Sequence, residues 1–204
     1  MKPKKIYAVI LAAGVSRRLG VSKLTLEIDG RSVIKRSVAP FLIDEVEKTF
    51  VVASIDRAKI AKELRCLETV EIIDNQHYHE GISSSVKASL PYIKGADGVF
   101  FHLGDKPFVR PDQVKTILEF YLRGTRNFVV PLYGGRKGHP VLMNTELYLS
   151  EMERLEGDKG LREIIDKYLK DVVFLDGDEG NVFDIDTIED IEILKRMGYK
   201  IEES

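Results

Sequence analysis

Cysteine occurs once in this chain, at Cys66, and tryptophan not at all. A single cysteine excludes an intrachain disulfide and a cysteine-rich metal site. It fits a reducing cytoplasm, the expected location, and reads as core packing. Glutamine is nearly missing too: Gln76 and Gln113 stand alone among plentiful Lys and Glu, the bias of heat-loving organisms. No stretch approaches the ~20 apolar residues of a membrane helix. The basic Met1 to Lys5 and the apolar Ile6 to Ala13 resemble a signal peptide only superficially. That run is short and flows into a glycine turn followed by Arg17 and Arg18, so a buried first strand explains it better. Nor does charge of one sign dominate: Lys and Arg total 31 and Asp and Glu 33, with no block basic enough to point to nucleic acid. What remains is 204 residues, 44% of them hydrophobic, enough to bury a sizeable core in one domain, 1–204.

Periodicity alternates between strand and helix. Ile6 to Leu11 is a continuous apolar run, typical of a central strand covered on both faces. Ser32 to Ile43 carries a helical stripe that Pro40 must kink or interrupt. Further strands are predicted at Phe50 to Ala53, Val70 to Ile73, Gly98 to Leu103, Phe128 to Pro131, Pro140 to Met143, Val172 to Leu175 and Val182 to Ile185. Helices are predicted at Arg57 to Leu67 with Asp56 as cap, Ser83 to Tyr92, Pro111 to Leu122, Leu161 to Leu169 and Ile188 to Met197. Tyr133 to His139 reads as a loop excursion. The alternation predicts an α/β fold, a three-layer, doubly wound and mostly parallel sheet with ligands at the carboxyl ends of its strands.

The first strand runs into Leu11-Ala12-Ala13-Gly14-Val15-Ser16-Arg17-Arg18-Leu19-Gly20-Val21-Ser22-Lys23. Small residues let a backbone approach phosphate oxygens, and the amides of the turn point at the anion. Arg17, Arg18 and Lys23 could neutralise a triphosphate. The glycine spacing matches neither the P-loop nor the dinucleotide fingerprint.

This string resembles the signature of the MobA-like NTP transferase family, and most closely its molybdenum cofactor cytidylyltransferase branch. Later segments are similar to further motifs of that family. They are Gly81-Ile82-Ser83-Ser84-Ser85, Gly104-Asp105-Lys106-Pro107, Gly138-His139-Pro140-Val141, Gly157-Asp158-Lys159-Gly160 and Asp184-Ile185-Asp186-Thr187-Ile188-Glu189-Asp190. The resemblance implies a Rossmann-like nucleotide-diphospho-sugar transferase fold and an Mg²⁺-dependent nucleotidyltransferase. It implies transfer of CMP from CTP to the terminal phosphate of molybdenum-loaded molybdopterin, with release of pyrophosphate and an apo-molybdoenzyme as recipient.

Under the same resemblance Leu11, Ala12, Ala13, Gly14, Ser16 and Arg17 hold the triphosphate, and Lys23, Arg18 and Asp105 act on the reacting phosphates. Asp105 also ligates the metal, a role that suits a carboxylate at a strand end. Asp186 is either a second ligand or a cap of the last helix. Asp74 and Ser83, Ser84 and Ser85 face the nucleoside, or else serve as an ordinary turn pair and helix caps. Gly138, His139 and Pro140 face the acceptor, or else form an inert solvent loop. Three other readings stay open: a CTP- or GTP-dependent transferase acting on a sugar, polyol or alcohol phosphate, a non-catalytic molybdopterin carrier, and a nucleotide-sensing module.

Overall fold

The computed structural model describes residues 4–14, 22–124 and 126–203. Ile6–Ala12 forms strand β1 with every residue buried, as a strand covered on both faces requires. Then come β2 (Glu27–Ile28), β3 (Arg31–Ser32), α1 (Val33–Val38), β4 (Lys48–Ala53), α2 (Arg57–Leu64), β5 (Val70–Asp74), α3 (Ile82–Ile93), β6 (Gly98–Leu103) and α4 (Pro111–Leu122). The second half holds β7 (Phe128–Tyr133), β8 (Arg136–Lys137), β9 (Val141–Met143), α5 (Leu149–Glu153), α6 (Leu161–Lys167), β10 (Val172–Asp176), α7 (Glu179–Val182), α8 (Ile188–Arg196) and β11 (Ile201–Glu202).

The main sheet has eight strands in the order β10-β7-β9-β6-β1-β4-β5, with β8 attached to β7. β6, β1, β4 and β5 run parallel to one another, and β10 runs parallel to β7. β9 is antiparallel to both of its neighbours. Alternate residues of β1 feed two cores on opposite faces: Ile6, Ala8, Ile10 and Ala12 on one, Tyr7, Val9 and Leu11 on the other. This is the three-layer, mostly parallel α/β arrangement expected from the alternation. The chain leaves β1 toward β4 on one side and returns to β6 on the other, so the strand order reverses at β1. A crevice at that reversal is where open sheets of this kind bind ligands.

Several local expectations are corrected. Val182 to Ile185 is no strand, because Asp178 and Asn181 form a reciprocal capping box that winds the preceding residues into α7. The extended residues after it hydrogen-bond to a loop instead, Ile185 N donating to Asp105 O at 3.1 Å. Tyr133 to His139 is no free loop. Gly134 and Gly135, both at positive φ, turn β7 back into β8 as a hairpin. Asp56 precedes α2 without a side-chain capping bond. Cys66 is exposed, just beyond the end of α2, rather than packed in the core. Pro40 does end α1, turning the chain into a 3₁₀ segment over Ala39–Phe41. Among the described residues no helix is long and apolar enough to cross a membrane.

Asn181 ties the second half together. Its Oδ1 accepts from Asp178 N at 2.9 Å and Gln113 Nε2 at 3.0 Å, and its Nδ2 donates to His139 O at 2.8 Å. The residue is 1% exposed, so these bonds have no water to replace them. Asn181→Ala is expected to lower the unfolding free energy by about 2–3 kcal/mol, since a buried group left unpaired costs about 1–3 kcal/mol. Urea denaturation checks this, and a loss within ~0.5 kcal/mol would show that the network is not structural.

Candidate active site

Leu11, Ala12, Ala13 and Gly14, at the carboxyl end of β1, line a cleft of about 390 Å³. Leu103 at the end of β6 and Asp105 just after it, with Ile82 and Ser85 of α3, line it as well. The loops after β1 and β6 approach closely: a Cβ on Gly104 would stand 3.1 Å from that of Ala12. The Asp105 loop is also fastened from behind, where the buried Ser37 hydroxyl donates to Gly104 O at 2.8 Å.

Lys23 closes the cleft. Its Nζ donates to Asp105 Oδ2 at 2.6 Å and to Asp186 Oδ1 at 2.5 Å. Burial alone would lower the pKa of this lysine, but the charges and hydrogen bonds of Asp105 and Asp186 outweigh it, and the net shift is upward. Lys23 therefore stays cationic across the neutral range. Asp105 Oδ1 is buried and accepts no hydrogen bond among the described residues. An orphaned carboxylate oxygen at the floor of a cleft fits a cation ligand. Among the described residues no three His, Cys, Asp or Glu side chains are arranged to hold an ion by themselves. Asp105 and Asp186 match instead the way Mg²⁺ is held, by one or two carboxylates with substrate phosphates and water.

A second cleft, of about 490 Å³, shares the wall formed by Leu11 and Ile82 with the first. Arg136, Lys137, Lys159 and Arg162 line it, together with Gly138 and His139. Lys137 pairs with Asp166, and Arg162 Nε lies 3.8 Å from the same carboxylate. One acid against four bases leaves this cleft strongly cationic. His139 does not sit in a solvent loop. Burial, and then the neighbouring Lys106 ammonium, push its pKa down to about 4. His102, fully buried 6.3 Å away ring to ring, is also held well below its ordinary value, by burial first. Both imidazoles are neutral near pH 7.

The sequence-derived candidates divide accordingly. Leu11, Ala12, Ala13, Gly14, Lys23, Ser85 and Asp105 share the first cleft, and Asp186 reaches it through Lys23. The cap of α8 is Thr187 with Asp190, so the capping alternative for Asp186 falls. Asp74 stands exposed at the end of β5 and lines neither cleft. Ser83 and Ser84 are buried and line neither cleft, and Ser84 accepts from the buried Asn75 Nδ2 at 2.9 Å. Pro140 is buried and lines neither cleft. Ser16, Arg17 and Arg18 lie outside the described residues. Sequence reasoning missed Tyr78, His79 and Asp158 in the first cleft and Arg162 in the second. Asp158 carried a signal, its Gly-Asp-Lys-Gly turn. A Cβ on Gly81 would fall 2.5 Å from Gly157 C, so the turn packs directly against the start of α3.

A strand-end loop with a buried lysine and a half-buried carboxylate beside a cationic cleft has the charge pattern of a site for phosphorylated ligands. The family model described as the MobA-like NTP transferase domain matches residues 8–172. The chain belongs to that family and is a nucleotidyltransferase. Purine catabolism protein PucB of Bacillus subtilis (strain 168) is 24% identical over 206 residues, covering 96% of this chain and 98% of the relative. The molybdenum cofactor cytidylyltransferase of Escherichia coli (strain K12) is 26% identical over 149 residues, 73% of this chain and 75% of the relative. The crystal structure of Rv0371c with manganese, from Mycobacterium tuberculosis H37Rv, aligns at TM-score 0.73 and 22% identity, covering 94% and 98%. That likeness speaks for the fold.

The depressed His139 pKa has a consequence for stability. An unfolded histidine titrates near 6.5, whereas His139 holds out to about 4. Its contribution is fully present above pH 6.5 and is lost as pH falls through about 4, because the unfolded chain binds the proton first. Urea unfolding between pH 7 and 4 is expected to give a shallower pH slope for His139→Gln than for the wild type. Equal slopes would assign the acid sensitivity elsewhere.

Proposed function

We propose that this nucleotidyltransferase transfers CMP from CTP to the terminal phosphate of molybdenum-loaded molybdopterin. The observation that carries the reading is the pair of clefts with one shared wall. One holds the strand-end loop, Lys23 and Asp105, and the other holds four cationic side chains. In this reading the first takes the triphosphate and the second the acceptor. An oxygen of the acceptor phosphate attacks the α-phosphorus in line. The bond from that phosphorus to the oxygen bridging to the β-phosphate breaks, and pyrophosphate leaves with the electron pair. The phosphate is already ionised near pH 7, so no activated serine or cysteine is needed.

Catalysis of this kind is positioning and charge neutralisation. Lys23 supplies a fixed cation, and the amides from Leu11 to Gly14 cradle phosphate oxygens, a task that the family resemblance extends to Ser16, Arg17 and Arg18. Asp105 and Asp186 would hold Mg²⁺, which would add positive charge at the triphosphate oxygens. The manganese in the Mycobacterium tuberculosis structure supports a divalent ion in this fold. CTP and the molybdopterin acceptor are supported by the Escherichia coli relative and by the Ala12-Ala13 and Gly138-His139-Pro140 segments. The product would be passed to an apo-molybdoenzyme.

The test is pyrophosphate release with Mg²⁺ and loaded molybdopterin against CTP, GTP, ATP and UTP in turn. CTP alone should support turnover, and Lys23→Ala and Asp105→Ala should each lower kcat by about 10²–10³-fold, the effect of removing a charge-stabilising group. Preference for GTP would overturn the nucleotide assignment. Turnover only with sugar or alcohol phosphates would overturn the acceptor. Triphosphate binding without turnover on any acceptor would point to a carrier or sensor. The cationic cleft makes a separate prediction. Arg136→Ala and Lys159→Ala should raise the KM for the acceptor about tenfold, a loss near 1.4 kcal/mol, and leave the KM for CTP unchanged. Steady-state kinetics with each substrate varied checks this, and equal changes in both constants would count against separate sites.

A further inference from the structure

The lysine inside the Gly104-Asp105-Lys106-Pro107 turn has no part in the reading above, yet it is 5% exposed. A lysine seldom enters a protein interior unless a specific partner holds it there. Its Nζ donates to Val182 O at 2.9 Å and lies 3.9 Å from Asp184 Oδ2. Val182 ends α7, and Asp184 lies in the extended segment that follows it and runs on to Asp186. The same segment meets the turn again where Ile185 N donates to Asp105 O at 3.1 Å. Burial lowers the pKa of Lys106, opposed first by the charge of Asp184. The side chain thus gains its accommodation from this segment.

We propose that Lys106 is a positioning residue that sets Asp186 beside Asp105 by clamping the 182–186 segment onto the loop after β6. Two lysines are interleaved with three carboxylates here. Lys23 joins Asp105 to Asp186 on the cleft side, and Lys106 joins the same two chain segments from beneath through Val182 and Asp184. The geometry divides the work. Lys23 faces the cleft, where a ligand can draw it away. Lys106 is enclosed and keeps the carboxylates in register when Lys23 moves. Residues that orient metal-binding side chains typically change metal affinity 10–100-fold when replaced.

This inference rests on Asp105 and Asp186 as a cation platform, and it is independent of which nucleotide or acceptor is used. The experiment is Mn²⁺ titration of the whole protein, followed by loss of the free-ion electron paramagnetic resonance signal with no substrate present. Lys106→Met keeps the stem and removes the charge. It should weaken Mn²⁺ binding at least about tenfold with an unchanged circular dichroism spectrum, while Lys106→Arg should stay within about threefold of the wild type. Asp184→Asn releases the clamp from its exposed end, where the carboxylate is 43% accessible. It should weaken binding about three- to tenfold. Folded Lys106→Met that binds Mn²⁺ within about twofold of the wild type overturns the proposal. If Lys106→Met does not fold, Asp184→Asn decides by the same limit. A wild type that takes up no Mn²⁺ overturns both the platform and the clamp, whereas the choice of CTP and acceptor is judged by pyrophosphate release alone.

Discussion

The ammonium of Lys23 lies between two carboxylates that the sequence places 82 and 163 residues away. Three pieces of chain meet there: the turn after the glycine-rich loop, the turn after β6, and the segment leading into α8. Breaking a buried pair by removing one partner costs about 3–5 kcal/mol, because an uncompensated charge stays behind. Here the burial is unequal, with side-chain exposures of 11% for Lys23, 19% for Asp105 and 45% for Asp186. Most of the strain of unpairing would therefore fall on Lys23 and Asp105, the two groups that face the first cleft. The contact that closes the fold at this end also sets the chemistry of the cleft.

An ion pair suits a site that must exchange one charge partner for another. In the proposed reaction a triphosphate carrying a divalent cation would present both signs, cation to the carboxylates and phosphate to the ammonium. Each side chain of the pair then gains a new partner at the moment it loses the old one. Asp105 Oδ1, buried and without a hydrogen bond among the described residues, would gain a partner from such a ligand without losing one. Preorganisation of this kind lowers the reorganisation needed when charge develops in the transition state.

The central sheet was legible because β1, β4 and β6 are buried apolar runs between recognisable helices. The first cleft was legible because its residues are clustered in sequence and sit just after strands. What could not be read depends on contacts across the chain. The small sheet of β2, β3 and β11 joins Glu27 to Glu202, and two-residue strands carry no periodic signal. Val182 to Ile185 has the apolar, β-branched character of a strand, but the capping box at Asp178 and Asn181 draws its first residue into α7. Arg162 reads as one more solvated charge on a helix, with a side chain 80% exposed. Only the folded chain places it beside Arg136 and Lys159. Lys106 is hidden by the opposite prejudice, since lysine in a turn normally reads as surface.

In the proposed reading the shared wall would keep the two ligands apart. Leu11 and Ile82 are apolar and separate regions of different charge. The first combines Lys23 with Asp105 and Asp158, so a bare anion entering it meets repulsion as well as attraction. The second combines four cations with Asp166 alone against them among the described residues, a charge pattern suited to an anion that carries no metal. In the proposed reaction these are the two states of the substrates, a cation-bound triphosphate and a free phosphate ester. The turn Gly157 to Gly160 places Asp158 in one cleft and Lys159 in the other. It is held against Gly81 and Ile82, where a Cβ on Gly160 would fall 2.9 Å from Ile82 Cγ2. Adjacent residues of opposite sign on one tightly packed turn therefore fix the boundary between the two fields to within a side chain's width. A nucleophile and a phosphorus centre that must meet in line need a boundary defined that closely.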